Sequence, residues 1–203
     1  MSVILETRNL TYTYDQRQKA LDALTIQIEE GKTTAVLGGN GSGKSTLFLN
    51  LNGVLRPSAG EVLYRGMPIC YEGKDLMAHR KRVGIVFQNP DDQLFSADVR
   101  SDIAFGLLNL GMTKAAAADR VEAVMAQTGV AAYGDAPVHA LSFGQKKRVA
   151  IAGVLAMEPE VIILDEPTAG LDTKGVSEIL SLLQHLRHQQ GLTVILSTHE
   201  IDL

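Results

Sequence analysis

Residues 38–45 read Gly-Gly-Asn-Gly-Ser-Gly-Lys-Ser and are followed by Thr46. This is the spacing G-x-x-x-x-G-K-[ST]. It follows an apolar, β-branched run at Thr34–Leu37 and precedes a helical pattern over Ser45–Leu55. A strand, a glycine-rich turn and a helix in that order form a phosphate-binding loop. Without a Cβ, glycines let successive N–H groups turn inward around phosphate oxygens. The following helix adds its positive N-terminal end. In this loop Gly38, Asn40, Gly41, Ser42 and Gly43 supply the cradle. Lys44 reaches the outer phosphates, Ser45 is placed to ligate Mg²⁺, and Thr46 beside them is a further nucleotide-binding residue.

A second element complements the first. Val161-Ile162-Ile163-Leu164 is an apolar run that ends in Asp165-Glu166. Carboxylates at the end of a buried strand are costly unless a cation or partner meets them. Ligand sites of open α/β sheets sit at the C-terminal ends of the strands. Asp165 therefore fits a Mg²⁺ ligand, and Glu166 fits the group that polarises an attacking water, a role worth roughly 10²–10⁴-fold in rate. Val83–Phe87 and Thr193–Leu196 are similar apolar runs. With Thr34–Leu37 and Val161–Leu164 they predict parallel strands buried on both faces. Thr25–Glu29 alternates, and Glu61–Tyr64 is a short candidate, which predicts a separate N-terminal antiparallel part. Helical spacing covers Lys114–Thr128 and Gly175–Gln190, the latter stopped at Gly191. The stretch from about Pro90 to Ala156 reads as a mostly helical insertion. The fold class is α/β, with a mostly parallel core sheet.

Composition narrows the function classes. Of 203 residues, 45% are hydrophobic and 21% charged, which suits one globular domain. A net charge of −4 argues against a general nucleic-acid binder. The single cysteine, Cys70, allows no internal disulfide and fits a reducing cytosol. Met1–Asn9 lacks the pattern of a secretory signal. The longest strongly apolar stretch, Val149–Met157, is far short of the ~20 residues that span a bilayer.

Leu141-Ser142-Phe143-Gly144-Gln145 lies shortly before the acidic strand end. Here the chain resembles the ABC-transporter ATPases, whose signature is LSGGQ; Phe143 stands where glycine is usual. The resemblance spans essentially the whole chain and implies a P-loop NTPase fold. It implies one ABC ATPase domain over 1–203, with core 1–89 and 157–203 and a helical subdomain at about 90–156. By the same resemblance Gln88 is the glutamine that senses Mg²⁺ and the membrane partner, and His199 is the switch histidine near the γ-phosphate. Ala169-Gly170-Leu171-Asp172 is the loop crossing a dimer interface. Tyr14 stacks on adenine, with Tyr12 as runner-up. Ser142, Gly144 and Gln145 face the nucleotide of a second subunit. The implied cofactors are ATP and Mg²⁺. The implied partners are transmembrane transporter subunits and a second ATPase, either a copy of this chain or a paralogue. The implied location is the cytoplasmic face of the membrane.

Two longer stretches narrow the branch. Val86-Phe87-Gln88-Asn89-Pro90-Asp91-Asp92-Gln93-Leu94-Phe95 is similar to the same region of energy-coupling-factor and metal-ion importers. Leu141 through Ala152 is similar to cobalt-transport ATPases, and residues 102–111 point the same way. In that group Asp91, Asp92 and Gln93 would meet arginine-bearing helices of a membrane subunit. The implied cargo is cobalt, with nickel or a vitamin as alternatives. A soluble ABC ATPase of translation or DNA repair and a non-hydrolysing cassette are the competing classes. His185 and His188 share a helical face, which reads as solvated rather than metal-binding. The chain ends just past His199, where the family continues with a helix and further strands. The C-terminal end of the usual domain is therefore expected to be missing, and this chain to be less stable than an extended relative.

Overall fold

Two four-stranded sheets of opposite character organise the chain in a computed structural model that describes residues 2–14 and 18–198. The first is antiparallel. β1 (Val3–Tyr14) pairs with β2 (Gln18–Glu29) on one side and with β4 (Ala59–Tyr64) on the other, and a short β5 (Met67–Pro68) extends β4. The second is parallel, in the order β3 (Thr33–Leu37), β8 (Thr193–Thr198), β7 (Val161–Leu164), β6 (Val83–Val86). Its register sets Thr33 beside Val194, and Val161 beside both Thr193 and Val83. All four strands therefore end on one edge, which carries residues 38–45, Gln88 and Asp165-Glu166.

The sequence accounts for most boundaries. Helix α1 (Lys44–Leu51) starts directly at the phosphate loop and stops before Gly53, whose φ of +79° suits only a turn. It is shorter than the expected Ser45–Leu55. Helix α2 (Gly73–Arg82) escapes the apolar pattern because it buries only His79. Helices α3 (Val99–Asn109), α4 (Lys114–Thr128) and α5 (Phe143–Ala156) fill the expected helical insertion. The side chains of Asp98 and Thr113 cap the first two by accepting from Ser101 N and Ala116 N. Helix α6 (Thr173–Gln190) ends at Gly191 in the left-handed conformation, as expected.

Two expectations need correction. Thr34–Leu37 is not buried on both faces: β3 is an edge strand, and Thr33, Ala35 and Leu37 face an open groove beside Leu183 and Arg187 of α6. β6, β7 and β8 do bury nearly every residue. The antiparallel part is larger than the alternation indicated. β1 runs for twelve residues, yet register shifts and a positive φ at Asn9 break its period of two.

The helical insertion packs on the parallel sheet. Val124, Val149 and Ile151 share one apolar cluster with Val86, Ile162 and Leu164. The two come close at Gly84, where a Cβ would lie 2.3 Å from Val154 Cγ1. Glycine lets α5 lie directly against β6.

Candidate active site

The loop after β3 owes its shape to glycine. Gly41 and Gly43 have φ of +79° and +94°, and a Cβ on Gly43 would meet Ala20 O at 2.5 Å. The turn is closed by Ser42 N donating to Gly39 O at 3.2 Å, and the helix begins with Leu47 N donating to Gly43 O at 2.8 Å. Lys44 is buried and folds back over the loop. Its ammonium donates to Gly38 O at 2.7 Å and Gly39 O at 3.1 Å, and lies 3.7 Å from Glu166 Oε1. A cation held on carbonyl dipoles above inward-facing amides suits a polyphosphate, which would offer it stronger acceptors.

Asp165 is held by two hydroxyls. Ser45 Oγ donates to its Oδ2 at 2.5 Å, and Ser197 Oγ to its Oδ1 at 2.6 Å. Among the described residues, no group of three or more His, Cys, Asp or Glu side chains could hold a metal by itself. One carboxylate beside one hydroxyl does fit Mg²⁺, which keeps waters and takes its other ligands from substrate phosphates. Gln88 is drawn elsewhere: its Nε2 donates to Glu166 Oε2 at 2.8 Å. Its amide nitrogen serves that carboxylate.

Glu166 has an unusual main-chain conformation. Its φ of +47° lies in the left-handed region, which costs a non-glycine residue about 1–2 kcal/mol. Ser197 Oγ accepts its N–H at 2.8 Å, and the Lys147 ammonium donates to its carbonyl at 2.7 Å. Lys147 is 2% exposed. Burial pushes its pKa down to about 8, against the pull of the nearby Glu166 and Asp165 carboxylates. Neither Lys147 nor Ser197 was anticipated from the sequence. The signal for Lys147 was a lone charge aligned with Ile151 and Val154 on the apolar stripe of α5; for Ser197 it was a hydroxyl closing an apolar strand.

Most of the expected residues divide between two clefts. Tyr14, Asn40, Gly41, Ser42, Gly43, Lys44, Ser45, Thr46, Gln88 and Glu166 line one of about 410 Å³. Tyr14 is half exposed there, with its hydroxyl 3.3 Å from Thr46 Oγ1 and its ring edge-on to Tyr12. Ser142, Gly144, Gln145 and Asp172 line a different cleft, beside Phe143, Gly170 and Leu171. Three of these four have local duties. Ser142 and Gln145 form a capping box on α5: Gln145 N donates to Ser142 Oγ at 3.3 Å, and Ser142 N donates to Gln145 Oε1 at 2.8 Å. Asp172 caps α6 by accepting from Gly175 N at 2.8 Å. His199 lies outside the described residues.

The acidic turn at 90–92 is partly engaged. Lys146 pairs with Asp91 at 2.6 Å, while Gln93 accepts from Phe87 N at 3.0 Å and points inward. Gln93 thus ties the turn to the end of β6. Both His185 and His188 are exposed, as expected of a solvated face.

Comparison with known proteins bears on the whole arrangement. The family described as ABC transporter matches residues 21–169. The chain belongs to the ABC transporter family. It is an ABC ATPase of the energy-coupling-factor type, an ATP-binding and ATP-hydrolysing enzyme. It is 52% identical over 200 residues to an energy-coupling factor transporter ATP-binding protein, EcfA3, of Clostridium perfringens, covering 98% of this chain and 70% of that protein. A protein named EcfA from Methanocaldococcus jannaschii is also 52% identical, over 98% of this chain and 71% of its own length. Among solved structures, cbiO1 of Clostridium perfringens, described as part of the ABC transporter complex cbiONQ, superimposes with a TM-score of 0.89 at 51% identity. That match covers 100% of this chain and 80% of cbiO1. The cassette MJ0796, solved as a dimer with ADP and phosphate, has a TM-score of 0.88 at 28% identity, over 98% of this chain and 89% of its own.

Proposed function

We propose that this chain is the ATP-hydrolysing subunit that energises an ABC-type importer, with divalent cobalt as the cargo. The observation that carries the motor reading is the convergence of Lys44, Glu166 and Gln88 on the cleft lined by the 38–45 loop, with Asp165 tied to Ser45 beneath it. Lys44 would neutralise the outer phosphates and Tyr14 would stack on the adenine. Glu166 would take the proton of the attacking water as it adds to the γ-phosphorus, with Gln88 orienting that carboxylate. His199 would contact the γ-phosphate. Ser45, Asp165 and Gln88 would hold Mg²⁺, which offsets phosphate charge when bound.

The two-cleft arrangement supports a head-to-tail dimer, with itself or with a paralogue. Ser142, Gly144 and Gln145 lie away from the loop they would serve, so a partner's loop would complete each site. We read 1–203 as a single ATPase domain, with core 1–89 and 157–203 and helical subdomain 90–156. No helix among the described residues is long and apolar enough to cross a membrane. Transmembrane subunits would therefore hold the chain on the cytoplasmic face. The cobalt reading draws on the Leu141–Ala152 stretch and on the likeness to cbiO1. The energy-coupling-factor names of the relatives favour a second reading, a vitamin or nickel importer with the same motor.

The motor reading is tested by replacing Glu166 with Gln and measuring solution mass with and without ATP. A dimer formed only with ATP is expected; failure to bind ATP would overturn the site. Uptake of cobalt, nickel and vitamins by vesicles holding the assembled transporter decides the cargo.

A further inference from the structure

Helix α5 touches the segment 165–172 at both of its ends. At the far end the Phe143 ring packs on Gly170, where a Cβ would stand 3.0 Å from Phe143 Cε1. At the near end, one turn further into the helix, the Lys147 ammonium donates to the Glu166 carbonyl at 2.7 Å. The same ammonium lies 5.3 Å from the centre of the Phe143 ring. The segment thus starts in the cleft of the phosphate loop, ends in the cleft of Ser142 and Asp172, and meets one helix near both ends.

Lys147 is a poor choice for packing alone. It occupies an apolar stripe and is 2% exposed, where leucine or methionine would fill the space without desolvating a charge. Its ammonium donates to a main-chain oxygen. That oxygen belongs to Glu166, which is held in the left-handed region with φ +47°. Ser197 Oγ accepts the N–H of the same residue at 2.8 Å. The peptide groups on both sides of Glu166 are therefore fixed, and the direction of its side chain follows from them. The carboxylate is delivered 3.7 Å from Lys44 Nζ and 2.8 Å from Gln88 Nε2.

We propose that Lys147 is a positioning residue for hydrolysis: it locks the Glu166 main chain and so aims the Glu166 carboxylate, tying the first turn of α5 in one cleft to the reacting carboxylate in the other. This rests on the reading of Glu166 as the group that accepts the proton of water. A helix is a stiff connector, so a shift of its capped end is passed to the Glu166 carbonyl. Each subunit's signature turn would then report to the carboxylate of its own nucleotide cleft, while serving its partner's nucleotide.

The test compares Lys147→Met, Glu166→Gln and the double variant in the assembled ATPase, scoring kcat per bound ATP, KM and thermal midpoint. Lys147→Met keeps the length and removes the donor. The expected result is a fall in kcat of about tenfold or more, with KM held within about threefold. Adding Lys147→Met to Glu166→Gln is expected to cause no further loss, because both act through one carboxylate. A kcat per bound ATP within about threefold of the parent overturns the inference, as does a full loss persisting in the Glu166→Gln background. If Lys147→Met does not fold, Lys147→Leu, which also lacks a donor, is judged by the same criteria. Parent-like hydrolysis by Glu166→Gln would sink the reading of Glu166 itself. A slow Glu166→Gln beside a normal Lys147→Met would sink the role of Lys147 alone.

Discussion

Ser197 Oγ donates to Asp165 Oδ1 at 2.6 Å, so the last strand of the parallel sheet holds the carboxylate that ends its neighbour. The same oxygen accepts from Glu166 N at 2.8 Å. One buried hydroxyl thus uses its proton on one acidic residue and a lone pair on the next. It sets their relative orientation before any ligand arrives.

Replacing Ser197 with Ala should therefore cost both stability and rate. The Glu166 N–H and one Asp165 oxygen lose a buried partner, a loss of about 1–3 kcal/mol. Urea unfolding should register that shift, and ATP turnover should fall more steeply than ATP affinity. Unchanged stability would mean that water enters to satisfy both groups.

Gly43→Ala should abolish the phosphate cradle. Alanine at φ +94° is strained, and its Cβ would stand 2.5 Å from Ala20 O, a backbone atom with little room to move. Loss of ATP binding with retained helix content by circular dichroism is the expected outcome. The corresponding change at Gly39, where an added Cβ would meet nothing within 4 Å, should be far milder.

Asp172→Ala should weaken α6 without touching the phosphate-loop cleft. The Asp172 side chain accepts from Gly175 N at 2.8 Å, and an N-cap of this kind contributes about 1 kcal/mol. A drop of roughly 2–4 °C in thermal midpoint is expected for a chain of this size. ATP affinity of the isolated chain should be unchanged, because Asp172 lines the other cleft.

The legible parts of this fold were those with a local code. The loop at 38–45 carries its own glycines, and Lys114–Thr128 has a capping threonine, an apolar face and a closing Gly129, so its ends were read to the residue. β7 and β8 were legible because both faces are covered, leaving unbroken apolar runs. β1 was not, since bulges interrupt its alternation, and α2 was not, since it buries a single histidine. The division of site residues between two clefts was beyond local reading. The 120 residues separating Ser45 from Asp165 and the 19 separating Lys147 from Glu166 are closed by sheet order and by α5 lying on β6. Family resemblance supplied the roles of Ser142 and Gln145. It did not reveal that their side chains cap each other, although the spacing Ser-x-x-Gln is itself a capping signal.

His79 makes acid stability a direct readout of the α1–α2 packing. The ring is buried, with Nε2 2.8 Å from Leu51 O and the ring edge-on to Tyr64. Burial holds its pKa below the usual histidine value; the Leu51 carbonyl pulls the other way, and Arg82 and Arg80 add smaller downward pushes. With the folded pKa depressed, the unfolded chain binds the proton more readily. The contribution is complete above pH ~6.5 and is lost as pH falls through the folded value. Urea midpoints measured from pH 7.5 down to pH 5 should therefore fall in the parent. In His79→Gln, which keeps a donor but does not titrate, that part of the slope should disappear. An identical slope in both proteins would place the acid sensitivity elsewhere.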